Sequence, residues 1–230
     1  VLGYLALDAA VEDSSNVAIG YQALTAQNAG GSDGGATDTK NTAVGANAGL
    51  SITTGTSNVI MGYNALYSAD GAEHENTVVG SNAGSLIDND ASSDNVLIGY
   101  LAGSGGSGEI DRCVAIGHQA MDGTGSLGGT QNIFIGNDAG GGTWATAASN
   151  SNVAIGATAM SGALNGALGN TALGHDTLKA VTTGDYNTAI GESAGLDMSS
   201  ASYNTFIGGK TGSNVTTSAN NVAIGYAAMF

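Results

Sequence analysis

A short pattern of apolar and polar positions recurs along the whole chain and predicts a solenoid. Each unit starts with asparagine, continues with a β-branched residue, a small or apolar residue and a large aliphatic residue, and reaches glycine four positions after its start, as in Asn16–Gly20. Twelve units follow one another, mostly 17 to 20 residues apart, and Cys113 takes the asparagine position in the sixth. A fixed period of this length indicates stacked coils that bury their apolar sides against one another.

The repeated asparagines and glycines predict a structural ladder. Stacked asparagine side chains hydrogen-bond from layer to layer in cross-β structures, and glycine permits a positive φ or close packing at a corner. The positions that we assign to this ladder include Asn16, Gly20, Asn58, Gly62, Asn95, Gly99, Asn152, Gly156, Asn187, Gly191, Asn221 and Gly225.

Alternation within each unit predicts a short strand with two apolar faces. The β-branched residue and the large aliphatic residue, Val17 and Ile19 in the first unit, share one face, which we assign to the core of the coil. The residue between them, such as Ala18, is alanine in seven units and a larger apolar residue in the others. A strand with one face in water would alternate apolar with polar residues. We therefore expect this second face to be covered by another copy of the chain, or else by another strand of the same coil.

The segment after each glycine predicts a second short strand, with a single helical turn as the alternative. Its third residue is alanine in ten units, such as Ala23 in the first. Its fourth residue is large in six units, as at Leu24, and glycine in the other six.

The amino-acid composition argues against several classes of function. Among 230 residues there are 39 glycines and no proline, which suits a chain whose backbone N–H groups are needed for ladder hydrogen bonds. Four basic and nineteen acidic residues give a net charge of −15, and phosphate binding needs lysine and arginine, so no nucleic-acid partner is expected. No apolar run approaches the ~20 residues of a membrane helix, so no membrane insertion is expected in this segment.

The reactive residue types give little indication of chemistry. No catalytic motif is present, and the carboxylates that intrude into the repeat, Asp138, Asp176 and Glu192, lie in different coils, so we do not expect an enzyme. Cys113 is interpreted as a tolerated substitution in the ladder. We expect no cofactor.

The acidic connectors offer only a weak indication of calcium. Asp88, Asp90 and Asp94 place oxygen ligands at short spacing but lack the turn glycine and the terminal glutamate of an EF-hand loop. The stretch 30–38 loosely resembles a calcium-binding nonapeptide repeat, and it occurs once. A solvated acidic loop is the preferred interpretation of both.

Aromatic side chains are the candidates for surface contacts. Six of the seven candidates directly follow a strand-ending glycine, and the seventh, the only tryptophan, stands in a long connector. Such rings provide contact area at low entropic cost, although structural packing is the alternative. The candidates are Tyr21, Tyr63, Tyr100, His118, Trp144, His175 and Tyr226.

The units Asn16-Val-Ala-Ile-Gly20, Asn152-Val-Ala-Ile-Gly156, Asn187-Thr-Ala-Ile-Gly191 and Asn221-Val-Ala-Ile-Gly225 resemble the head repeats of trimeric autotransporter adhesins. The resemblance implies a left-handed parallel β-roll, three copies of which pack into a head that adheres to host surfaces. The fuller unit Asn16–Leu24 looks like the Asn-Thr-Ala-Ile-Gly-Tyr-x-Ala-Leu repeats of tail-fibre-like proteins from phages and bacteria. The period here is longer than in the shortest adhesin repeats, and stalk heptads and an anchor segment are absent.

These observations predict an all-β fold in which residues 1–230 form one continuous parallel β-solenoid. We expect about twelve coils, ~58 Å long at the usual strand spacing, packed as a homotrimeric fibre. Residues 3–7 repeat the back half of a unit and the chain stops after a signature, so we interpret it as an excerpt of a longer fibre.

The expected function is extension and attachment to a cell-surface glycan or protein receptor. The expected place is extracellular, on a virion tail or a bacterial surface. The alternative is a monomeric solenoid that binds polysaccharide or ice. The surface that would bind such a ligand is a row of threonines at the β-branched repeat position, although the pattern assigns that position to the core. These threonines are Thr42, Thr77, Thr171, Thr188 and Thr205.

Overall fold

The computed structural model describes residues 1–9, 13–29, 38–144 and 146–229, and these form a parallel β-solenoid of about ten turns without helix. Most of the stretch 30–38 therefore lies outside the described residues. Twelve strands, one from each repeat unit, form a single parallel sheet, and two shorter strands in the connectors, β6 and β8, pair with each other. The strands are β1 (Val17–Ile19), β2 (Thr42–Val44), β3 (Val59–Met61), β4 (Thr77–Val79), β5 (Val96–Ile98), β6 (Ile110–Asp111), β7 (Val114–Ile116), β8 (Gly129–Thr130), β9 (Ile133–Ile135), β10 (Val153–Ile155), β11 (Thr171–Leu173), β12 (Thr188–Ile190), β13 (Thr205–Ile207) and β14 (Val222–Ile224).

The main sheet has no register shift. Val17 pairs with Thr42 and Ile19 with Val44, and the same alignment continues from strand to strand up to β14. Each repeat position therefore forms a straight column along the solenoid. Twelve strands at about 4.8 Å spacing make this sheet about 53 Å long.

The two faces of the strands are reversed relative to the sequence prediction. The middle residue of each strand points into the coil: Ala18, Ile60 and Phe134 are fully buried. The flanking residues point outward, and Val17 and Ile19 are 43% and 40% exposed. The prediction failed because it assigned the bulkier residues to the core, whereas a coil this narrow has space for one mostly small side chain per strand. The alanine face is covered within its own coil and needs no second chain.

The segment after each glycine is a turn, so the predicted second strand is wrong. Its second and fourth residues have positive φ, 54° at Gln22 and 52° at Leu24. The N–H of Gln22 donates to the Tyr4 carbonyl at 2.9 Å, and the N–H of Leu24 donates to the Ala48 carbonyl at 3.0 Å. These bonds tie each coil to both neighbours without extended backbone, and they place Ala23 and Leu24 in the core.

Core volume is shared between the strand's middle residue and the fourth residue after the glycine. In five of the seven units with alanine at the first position, a large residue stands at the second, as for Ala18 and Leu24. The large residues Leu97, Phe134 and Phe206 accompany Gly103, Gly140 and Gly212. A Cβ on these glycines would lie 2.6, 2.7 and 2.5 Å from the large side chain of the same coil. Interiors this closely packed tolerate little change of volume, which explains why large residues and glycine both occur at this position.

Candidate functional site

The outward face of the main sheet is the most extensive candidate surface. Its twelve strands present two columns of side chains, one headed by Val17 and the other by Ile19. Every outward residue is valine, isoleucine, leucine, methionine or threonine, and none is charged. Leu173 is 45% exposed and Met61 46%. Exposed apolar surface that is contiguous, rather than scattered, marks a place of contact.

A ladder of buried asparagines keeps this face straight. The Asn58 Oδ1 accepts from the backbone N–H of Asn76 at 2.9 Å, and the Asn58 Nδ2 donates to the Glu73 carbonyl at 2.7 Å. The same two bonds recur at Asn152, to the Asn170 N–H at 3.0 Å and to the Ala167 carbonyl at 2.9 Å. These anchors thus join the start of their strand to the next coil and to the end of their own connector.

Cys113 performs both parts of this role with one sulfur atom. Its Sγ donates to the Gly129 carbonyl at 3.1 Å and accepts from the Asn132 N–H at 3.5 Å. Burial raises the pKa of this thiol to about 11, so the sulfur stays protonated at neutral pH, and the thiolate is the nucleophilic form. Its surroundings agree with a tolerated ladder substitution.

A column of glycines closes one edge of the sheet. A Cβ on Gly20 would lie 2.4 Å from the Gly45 carbonyl oxygen, and Gly20 has a φ of +134°. Both the close approach of successive coils and the backbone conformation therefore require glycine here.

Next to this column lies the row of predicted aromatic residues. Tyr21, Tyr63, Tyr100 and Tyr226 are 51%, 56%, 48% and 76% exposed, and His118 and His175 are exposed as well. The Tyr100 and His118 rings stack at 5.3 Å, as do those of Tyr4 and Tyr21 at 5.8 Å. These six candidates are accessible, and they line one side of the apolar face.

Trp144 is not a surface residue, so its selection as a binding candidate is wrong. It is 3% exposed and packs edge to face on Phe134, with ring centroids 6.4 Å apart. Its connector folds inward over the core, and the sequence gives no periodic signal for a connector.

The acidic connectors bring together a set of carboxylates that differs from the predicted one. Oxygens of Asp70, Glu73 and Asp90 lie within 4.8 Å of one another. Asp94 is exposed and is not part of this group. Burial, a hydrogen bond with Asp70 and repulsion by Asp70 and Asp90 raise the pKa of Asp88. Sequence reasoning missed Asp70 and Glu73, although Asp70 and Asp88 both stand twelve residues after their anchor asparagine, a spacing that predicts stacking.

Among the described residues there is no helix with the length and apolar character needed to cross a bilayer. No protein-family model matches the chain, and no curated protein or solved structure matches it either.

Proposed function

We propose that the chain is a structural and adhesive segment of a homotrimeric fibre, and that the outward sheet face is the contact between its subunits. The observation that carries this proposal is the face itself, an uncharged, in-register array of mostly aliphatic side chains on twelve strands. A face about 53 Å long and roughly 10 Å wide covers on the order of 500 Å², the upper range for the largest apolar patch of a monomer.

The edges of the face have the composition of an interface rim. Aromatic residues such as Tyr63 and Tyr100 line one side. On the other side, the residue before each anchor is mostly polar or charged, as at Lys40, Glu75 and Arg112. An apolar centre with aromatic and polar edges is the usual anatomy of a protein–protein contact.

The finer parts of the proposal derive from the resemblance to adhesin heads and tail fibres. In it the solenoid is left-handed with about twelve coils, and three copies surround one axis as part of a longer extracellular fibre on a virion tail or a bacterial surface. The fibre is not an enzyme and has no nucleic-acid partner. Connectors and aromatic edges then contact a cell-surface glycan or protein receptor, because loops on a rigid scaffold commonly carry recognition.

The alternative is a monomeric solenoid whose outward face binds polysaccharide or ice. One observation favours it: Thr171, Thr188 and Thr205 lie side by side on this face, on three neighbouring strands. Most outward positions are nevertheless aliphatic. An aliphatic surface gains little from a hydrated polymer and much from burial against another copy.

A charge placed on the face tests the proposal. Ile155, 38% exposed on β10, is changed to glutamate, and the control is Ala163→Glu, at an exposed position in the connector of the same coil. We expect Ile155→Glu to dissociate the assembly while the control keeps it, as measured by sedimentation velocity. Equal masses for the two variants and the parent would contradict the proposal.

A further inference from the structure

The three carboxylates of Asp70, Glu73 and Asp90 come from two successive coils. Asp70 and Glu73 lie in the connector after β3, and Asp90 lies in the connector after β4. Their oxygens are all within 4.8 Å of one another. None of the ion pairs found among the described residues involves these carboxylates, so their charges face one another without a side-chain cation.

Glu73 is unusual among the acidic residues because it is fully buried. Its Oε2 accepts from the Gly71 N–H at 3.2 Å, whereas its Oε1 is buried with no hydrogen-bond partner. The backbone carbonyl of the same residue is held by Asn58 of the ladder at 2.7 Å. A buried carboxylate oxygen without a partner is costly, and the Glu73 carboxylate lies next to two further carboxylates.

Asp90 is held above the same loop by its neighbours. Its Oδ1 accepts from the Ala72 N–H at 3.2 Å. A Cβ on Gly71 would lie 1.7 Å from that oxygen, so the carboxylate occupies this place only because residue 71 is glycine. The loop backbone at residues 71 and 72 therefore positions two of the three ligands, Glu73 and Asp90.

We propose that Asp70, Glu73 and Asp90 bind one calcium ion between the two connectors. Calcium takes carboxylate and water oxygens at about 2.4 Å, so two of its ligands lie at most about 4.8 Å apart, and the three oxygens here lie within that distance of one another. Asp70 and Asp90 are exposed, so water completes the coordination from the open side. Magnesium needs a more regular octahedron at about 2.0–2.1 Å and loses its water reluctantly, which makes calcium the better fit.

The ion would add to the backbone hydrogen bonds and the Asn58–Asn76 bond that already join these two coils. It would also neutralise the buried Glu73 carboxylate. Its binding does not depend on the oligomeric state or on the proposed fibre.

Calorimetric titration of calcium chloride into the whole chain, freed of metal with EDTA, tests the site. We expect one ion per chain, with a dissociation constant of about 10⁻⁴–10⁻³ M or lower, as in extracellular modules. Glu73→Gln keeps the shape of the side chain and removes its charge, so it should weaken binding roughly tenfold or more. Glu75→Gln makes the same change on an exposed residue two positions away, and it should bind as the parent does.

Thermal melting with and without calcium keeps the test valid if a variant folds poorly. Calcium should raise the melting temperature of the parent and of Glu75→Gln and leave that of Glu73→Gln unchanged. Gly71→Ala, which displaces Asp90, should also lose the calcium response. The proposal is overturned if the parent shows no saturable binding at calcium concentrations about tenfold above the expected dissociation constant, if Glu73→Gln binds as tightly as the parent, or if magnesium binds as tightly as calcium.

Discussion

Phe134 occupies the space that a side chain at Gly140 would need, since a Cβ on Gly140 would lie 2.7 Å from the Phe134 ring. The same coil volume is filled in the opposite way by Ala18 and Leu24, both fully buried. The two positions therefore form one packing unit. In these two coils the sizes are complementary, whereas Ala43 with Gly49 is small at both positions and Ile60 with Leu66 is large at both.

A swap of sizes within the ninth strand's coil tests this relationship. Gly140→Leu alone should destabilise the chain by about 3 kcal/mol, because it overpacks a filled core. Phe134→Ala alone should cost about 3–5 kcal/mol through the cavity that it leaves. The double variant recreates the arrangement of Ala18 and Leu24 and should cost clearly less than the sum, as measured by urea unfolding.

The matched control combines Gly140→Leu with Phe206→Ala, which lies in a distant coil. These two changes should add within about 0.5 kcal/mol, because the sites share no partner. If the close pair is as additive as the distant pair, the two positions do not share their volume.

Removal of one ladder asparagine should be costly. Asn152→Ala leaves the Ala167 carbonyl and the Asn170 N–H without the partners that they have at 2.9 and 3.0 Å. Each unsatisfied buried group costs about 1–3 kcal/mol, so we expect a loss of about 2–5 kcal/mol in the free energy of unfolding. Asn137→Ala, at an exposed position whose side chain bonds the adjacent Asp138, should change stability by less than about 0.5 kcal/mol. Similar losses of stability in both variants would contradict a stabilising role for the asparagine ladder.

Because of the buried Cys113 thiol, we expect the free energy of unfolding to fall at alkaline pH. Burial raises its pKa from 9.0 to about 11 in the folded chain, so the folded chain holds this proton more tightly than the unfolded chain. The contribution of the protonated thiol to the free energy of unfolding is complete below pH 9.0 and is lost as the pH rises toward 11.

Cys113→Ser removes this titration and isolates its effect. Between pH 7.5 and 10.5 the stability of the parent relative to Cys113→Ser should fall by roughly 2 kcal/mol. Urea unfolding at the two pH values provides the measurement, and because other groups titrate equally in both proteins, only the difference counts. A difference that stays constant with pH would mean that the thiol is accessible to water.

The buried Glu73 carboxyl should make the melting temperature depend on pH in metal-free buffer. Burial, followed by repulsion from Asp90 and Asp70, raises the pKa of this carboxyl above 4.5. Folding therefore favours the protonated carboxyl. Its contribution to the free energy of unfolding is present at low pH and is lost as the pH rises past this raised pKa. In EDTA, the melting temperature of the parent should fall relative to that of Glu73→Gln between pH 4 and pH 7.5. A relative rise would have the wrong sign for a buried, unpaired carboxyl.

The repeat pattern was sufficient to predict the parallel solenoid and the boundaries of its strands. Asn16 to Gly20 contains β1 with its anchor and its terminal glycine, because these positions obey backbone and hydrogen-bond requirements that recur in every coil. The direction of the side chains was wrong. Period-two alternation separates Val17 from Ala18 but does not say which faces inward, and that choice depends on how little space a coil encloses.

The contacts between coils were the least predictable. The positive φ of Leu24 had a signal in the sequence, because six other units have glycine at that repeat position. Trp144 lies in a connector outside the repeat, so the pattern gave no signal for its burial. Glu73 and Asp90 are seventeen residues apart in the chain, and they meet only because successive connectors stack. Alignment of the connectors on their anchor asparagines places Asp70 opposite Asp88 and would have indicated that acidic side chains of successive connectors stack.

The absolute mass of the chain in solution, measured by light scattering coupled to size-exclusion chromatography, tests the central claim most directly. Association through the uncharged outward face predicts a mass near three times the 22.3 kDa of one chain. A mass near 22.3 kDa at micromolar concentration would contradict the fibre, and it would leave the outward face, with its neighbouring threonines, as the surface of a monomeric binding solenoid.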